Sequence, residues 1–415
     1  MKQTIKTRLP LRLYNEASRL VERIGRGSTG FVDAADELHD RARRTVGFDD
    51  FGDRTYLEGL RVLLEAYDDQ PRLHPFGKML LRRQVLAILQ NRLVAQRFWK
   101  SSPGVLGVHI RRPVFILGLP GSGVTTLHGL LGQDPENQVL QHWLAIAPRP
   151  RPPEHLWRHH SNFKRAARGL RALHFLNPAL KTLRPMTPDR PEECYHLLRQ
   201  NFTDDTFDRD ATVPAYSRWY DAQDMLASYA RHRDLLKLIG ASEPDRRWVL
   251  NSPLHLRNLA TLFKVYPDAC VVQIHRDPGK VLPAICGMTA AWREIYEDDV
   301  DPRAIASRQL ELWSTGLREA MELRWQRDPA QFFDLRFQEL RDDPIGTARR
   351  IYAYFHIEMQ GEAQRRMRAW HDDIPRAKPG KPRFRADDFG LGHQTVSERF
   401  RPYVEHFQVE AEERG

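Results

Sequence analysis

Apolar positions recur three or four residues apart through residues 34–100. In YLEGLRVLLEAYDD, Leu57, Leu60, Leu63 and Leu64 fall on one side of a 3.6-residue period, and ADELHDRARRTVGF and KMLLRRQVLAILQNRLVAQRFW continue in the same manner. The spacing predicts amphipathic helices, ended by a loop at SSPGVLG (101–107). The period then changes. PVFILG (113–118) is a short continuous apolar run bounded by proline and glycine, the pattern of a strand buried on both faces. It feeds a glycine turn and a helical stretch, LPGSGVTTLHGLLGQ. RWVLN (247–251), CVVQIH (270–275) and FFDLRF (332–337) read as three more strands, the first two separated by the helical LHLRNLATLFKVY. Short apolar strands alternating with helices predict an α/β fold, a central parallel sheet flanked by helices, preceded by an N-terminal helical segment. The expected boundaries are 1–107 for that segment and 108–373 for the α/β core. The core includes a basic insert at 145–191 rich in Pro, Arg and His, and a tail at 374–415 wraps the surface.

Composition narrows the class of protein. Of 415 residues, 28% are charged and 41% hydrophobic, which excludes wholesale disorder. No apolar run approaches the roughly 20 residues that span a bilayer, and MKQTIKTRLPLRLYNEASRL has no apolar leader core, so a cytoplasmic protein without a membrane partner is expected. Cys194, Cys270 and Cys286 lie far apart with no CxxC pair, which argues against a disulfide framework or structural zinc. The net charge of +10 is carried almost wholly by arginine, since only 11 lysines occur. Arg149, Arg151, Lys164, Arg165, Arg168 and Arg171, with Trp157 and Phe163 among them, form the densest basic stretch. It reads either as a solvated helix face or as a dock for an acidic partner. No nucleic-acid motif accompanies it, so the expected partner is a small acidic carrier protein presenting a tethered substrate, or a partner subunit.

The chemistry concentrates where the first strand ends. Gly118-Leu119-Pro120-Gly121-Ser122-Gly123-Val124-Thr125-Thr126 turns tightly into a helix, so successive N–H groups converge on one concavity beside a positive helix end. Hydroxyls of Ser122, Thr125 and Thr126 add donors. The stretch lacks the lysine of a Walker A loop. It is an oxyanion site suited to sulfate or phosphate.

These residues resemble the bacterial sulfotransferases of the superfamily that uses 3′-phosphoadenosine 5′-phosphosulfate (PAPS). RRPVFILGLPGSGVTTLHGLLGQDP is similar to the family's 5′-phosphosulfate loop, RWVLNSPLHL to its WVLKSP segment, and YPDACVVQIHRDP to its 3′-phosphate segment; PEEC (191–194), FFDLRFQELRDDP and DFGL (388–391) follow in the family's order. The resemblance spans roughly 34–408 and implies a sulfo donor lying across the C-terminal edge of the sheet. It also implies departures. The loop cation of the family is Gly121 here, and the first Thr of its pair is Val124. The Lys of WVLKSP is Asn251, the Glu of a Trp-Glu pair is Leu144, and a 3′-phosphate Ser is Ala284; the Arg survives as Arg276.

Sulfuryl transfer depends on positioning and on charge placed against non-bridging oxygens, where one lost donor typically costs about 10²–10³ in rate. Several such losses together point to changed chemistry. A sulfated small molecule would bind in the loop without a nucleotide and lose its sulfate by elimination or internal displacement, with no cofactor required. The alternatives are a PAPS-dependent sulfotransferase using displaced cations (Arg276, Arg257 or the 149–171 stretch) and a non-catalytic subunit. The expected sulfate contacts are Gly121, Ser122, Gly123, Val124, Thr125, Thr126, Asn251, Ser252 and Arg276. The candidate acid–base residues are His128, Glu192, Glu193 and His255. Each has a plainer role available: packing for His128 and His255, helix initiation for Glu192 and Glu193. The histidines at 142, 155, 159 and 160 lack metal-ligand spacing, and no metal is expected.

Overall fold

One sheet of five parallel strands organises the chain, in the order β2-β3-β1-β4-β5. The strands are β1 Val114–Gly118, β2 Asn137–Val139, β3 Arg247–Asn251, β4 Cys270–His275 and β5 Phe332–Arg336. The computed structural model describes residues 9–21, 30–373 and 384–412. Four strands lie where the apolar runs predict them. β2 has no such signal because it is polar: buried Asn137 donates to Leu131 O and Tyr352 Oη at 2.9 and 2.8 Å, and Gln138 donates to Glu243 O and Arg246 O. Its side chains satisfy neighbouring turns, so hydrophobicity never marks it.

The continuous apolar run of β1 has a direct cause. Val114 and Ile116 join one buried layer with Val124, Leu127, Val272 and Tyr352, while Phe115 and Leu117 point the other way into a layer with Leu250, Val271 and Tyr266. Both faces of the sheet are covered, as a parallel sheet requires.

Four N-terminal helices precede the sheet: α1 Leu9–Val21, α2 Ala35–Val46, α3 Tyr56–Asp68 and α4 Pro75–Ser101. α4 starts with His74 accepting from Gly77 N and with proline at its first position, and it buries Leu81, Val85, Leu89 and Leu93 at helical spacing. It also buries Arg92 completely, which donates to Phe51 O, Gln200 O and Asn201 Oδ1. That fork locks the helical layer to the chain just beyond residues 192–196.

The basic insert folds as a 3₁₀ turn, Glu154–His159, and a helix, Ser161–Leu176. Of the expected wrapping tail, 374–383 and 413–415 lie outside the described residues; from His393 to Phe407 the tail is helical, and Glu412 then reaches Arg276 and Asp277 after β4. No helix among the described residues is long and apolar enough to cross a membrane.

Candidate active site

The strand order sets the layout. All five strands point the same way, so the segments leaving β2, β3, β1 and β4 meet at one edge, where parallel sheets bind ligands. The glycine loop after β1 stands at the centre. His142 follows β2 on one flank, about 10 Å across two strand spacings, and Arg276 follows β4 on the other.

In the loop, Ser122 N donates to Leu119 O at 3.0 Å, and Gly121 and Gly123 take φ of 88° and 94°, a region that side chains with a Cβ rarely enter. Gly123 leads into α5, Val124–Leu131, whose start has no side-chain cap. Its first N–H groups are thus left for an outside anion. Thr125 and Thr126 are exposed. Ser122 Oγ is buried without a partner, as are Asn251 Oδ1, Ser252 Oγ, Gln141 Oε1 and His196 Nε2. Buried polar atoms are seldom left unpaired. Of these, Ser122, Asn251, Ser252 and Gln141 lie at the ends of three adjacent strands, β1, β3 and β2.

A second group of side chains stands on the β2 flank. Glu192 N donates to Leu140 O, His142 N to Arg190 O and Cys194 N to Asn251 O, so 140–142, 190–194 and the end of β3 form one rigid unit. Within it, His142 Nδ1 meets Glu192 Oε2 at 2.7 Å, and Glu192 Oε1 accepts from the Arg184 guanidinium and from Glu193 N. Arg184 also pairs with Glu193 at 3.2 Å. Burial opposes the charged form of Glu192, but Arg184 and then His142 outweigh it and hold the carboxyl well below the usual range. An ionised carboxylate only accepts, so Nδ1 of His142 is the donor in this contact.

Ligand atoms of His142, Glu192 and His196 lie within 4.8 Å of one another, close enough to share a metal ion. Arg184 and His142 already occupy both Glu192 oxygens, and a guanidinium in contact with the carboxylate opposes a second cation there.

The residues expected from the sequence divide. The loop, Asn251, Ser252 and Arg276 share the edge, and Glu192 and Glu193 stand beside it. His128 and His255 are placed in the core. His128 is fully buried with Nε2 on Val249 O at 3.0 Å, and burial pushes it to about 4. His255 Nδ1 meets Tyr229 Oη at 2.6 Å, its ring stands edge-on to Phe115, and burial pushes it well down. His142 and Arg184 escaped sequence reasoning. The available signal was the residue before Trp143-Leu144: the missing Glu at 144 drew attention, and the histidine beside it did not.

Arg276 is engaged. Its Nη1 donates to Gly121 O, its Nε and Nη2 grip Glu412 at 2.7 and 2.9 Å, and its guanidinium lies 3.8 Å over the Phe337 ring. Glu412 N donates in turn to Asp277 Oδ2 at 3.0 Å. Two of the cations named as replacements are also committed: Arg257 to Asp221, and Arg151 to Val139 O, Gln138 and Glu243. As folded, the edge fits a sulfate group at the loop. Beside it, residue 284 is an alanine and the Glu412 carboxylate holds Arg276.

Comparison with known proteins agrees with this architecture. A family model described as the sulfotransferase family matches residues 113–361, more than half of the chain. The solved sulfotransferase STF1 from Mycobacterium tuberculosis is 36% identical, with a TM-score of 0.81 over 90% of this chain and 100% of that one. Sulfotransferase STF9 from Mycobacterium avium shares the fold at a TM-score of 0.84 and 24% identity, over 92% and 98% of the two chains. The omega-hydroxy-beta-dihydromenaquinone-9 sulfotransferase Stf3 of Mycobacterium bovis is 30% identical over 115 residues, 26% of this chain and 28% of that relative, so the match spans little more than a quarter of its length.

Proposed function

Because the chain belongs to the sulfotransferase family, and is therefore an enzyme of sulfotransferase type, we propose that it binds a small-molecule sulfate ester and promotes loss of the sulfate. The sulfate oxygens accept from the N–H groups of the 121–125 loop and from the hydroxyls of Ser122, Thr125 and Thr126. His142 Nε2 takes a proton from the substrate. In internal displacement that proton comes from a hydroxyl whose oxygen attacks the carbon bearing the sulfate; in elimination it comes from the neighbouring carbon as a double bond forms. In both, the C–O bond breaks, its electron pair leaves on sulfate, and the loop stabilises the charge that develops. Glu192 holds the imidazole in register and stabilises the imidazolium. A histidine oriented by a buried carboxylate supports a catalytic role over a purely non-catalytic one.

One observation carries this reading. Side chains that would grip a nucleotide are replaced at Gly121, Asn251 and Ala284 or engaged at Arg276, while the main-chain cradle and its unpaired hydroxyls are kept. A second reading, PAPS-dependent transfer to an acceptor, is favoured by Arg276 Nη1 reaching Gly121 O, close to where the family's loop cation stands. It requires Glu412 to leave.

Titration with 3′-phosphoadenosine 5′-phosphate (PAP) separates the two. The wild-type chain is expected to bind it no better than millimolar. Glu412→Gln is expected to tighten binding only about fivefold, the value of one partly exposed ion pair near 1 kcal/mol. Micromolar affinity in the wild type favours transfer instead.

A further inference from the structure

The insert helix Ser161–Leu176, SNFKRAARGLRALHFL, contains no acidic residue. Lys164, Arg165, Arg168, Arg171 and Phe175 fall at helical spacing on one face and are all exposed, while Asn162, Ala166 and Leu170 are buried on the other. None of the four cations meets a carboxylate among the described residues; Arg168 reaches only the carbonyl of Lys164. Elsewhere arginines are matched by acids: Arg308 lies against Asp205 and Asp221, and Arg199 against Asp210. The excess charge is felt locally, since burial and then Arg165 and Arg97 push the Arg149 guanidinium down.

Apolar groups flank the stripe. Leu156 is 45% and Phe175 49% exposed, among the more exposed large hydrophobics. Near the Leu156 end opens a cavity of about 520 Å³ lined by Glu154, His155, Trp157, Arg158, Phe163 and Asp189. Its Trp157 packs at 6.0 Å on Trp143, the residue after His142. A cationic face of 16 residues, about 24 Å long, with apolar tips at either end, matches a surface that is negative outside and apolar just beneath.

We infer that this face docks on an anionic lipid bilayer, with Leu156 and Phe175 entering the boundary between headgroups and acyl chains. That no helix among the described residues is long and apolar enough to cross a membrane bears on crossing alone, and peripheral docking needs no such helix. An acidic protein would meet the cations but has less use for the two apolar tips. The inference stands apart from the chemistry proposed above, because its test reads binding alone.

The test is cosedimentation of the full chain with vesicles of phosphatidylcholine, alone or mixed with phosphatidylglycerol. Binding is expected only to the mixed vesicles and is expected to be released near about 0.5 M salt. Changing Lys164, Arg165, Arg168 and Arg171 together to Gln should weaken it about a hundredfold or more. Leu156→Ser with Phe175→Ser should weaken it at least about tenfold with the charge intact. Both variants alter exposed positions, so an unchanged circular dichroism spectrum confirms folding. Failure to sediment, equal binding to neutral vesicles, or full binding by the four-glutamine variant would overturn the inference. So would capture by an acidic carrier protein or polyglutamate with vesicles left unbound, which would reassign the face to a protein partner.

Discussion

His142→Asn is expected to slow turnover by about 10²–10⁴-fold, the usual worth of a positioned general base, with the fold intact. The reasoning rests on what asparagine keeps. Its amide can donate to Glu192 as Nδ1 of the histidine does, so the buried carboxylate retains both partners, Arg184 and residue 142. Only the lone pair at Nε2 is lost. The effect should therefore fall on kcat and leave KM nearly unchanged, because the sulfate contacts belong to the 121–126 loop two strands away. Steady-state kinetics beside a thermal melt decide the matter. Activity within tenfold of the wild type at an unchanged Tm would remove His142 as the base.

Arg184→Ala should cost about 3–5 kcal/mol of stability, the penalty for leaving one member of a buried ion pair alone. Glu192 is 4% exposed, and without Arg184 only His142 and the Glu193 amide answer its charge. Acid sharpens the expectation. The folded-state pKa of Glu192 lies below its ordinary value of 4.5, so its contribution is complete above that pH and fades as the pH falls toward the lowered folded value. The difference between wild type and variant should be widest near neutral pH and narrow below about pH 4.5. Urea unfolding at pH 7 and pH 4 measures it; an equal or wider gap at the lower pH would contradict the ionised state of Glu192.

Much of this was legible in the chain. β1 announced itself because both faces of the sheet are covered, which leaves no polar position in VFIL, and the glycine loop because its turn needs residues free to take positive φ. The amphipathic α3 and α4 read directly from leucine spacing. The polar β2 did not, since hydropathy says nothing about a short strand whose side chains answer neighbouring turns. The site split along the same line. Main-chain cradles are encoded locally and can be read locally. The pairing of His142 with Glu192 joins residues 50 apart in sequence through the Leu140–Glu192 and His142–Arg190 backbone bonds, and no local pattern carries it. His128 and His255 misled for the converse reason: each sits near a motif in sequence, yet helix and strand geometry turn them inward against Val249 O and Tyr229. The role of Glu412 was equally hidden, since the tail meets Arg276 only after the helix His393–Phe407 has carried it back across the molecule.

The proposal that sulfate leaves without a nucleotide meets its plainest trial in a release assay. The purified chain is incubated with a panel of sulfated alcohols bearing a neighbouring hydroxyl or acidic C–H, no PAPS is added, and free sulfate is followed against time. Steady liberation by the wild type, abolished in His142→Asn, is the predicted outcome. No liberation from any ester, together with sulfation of an alcohol as soon as PAPS is supplied, would contradict it.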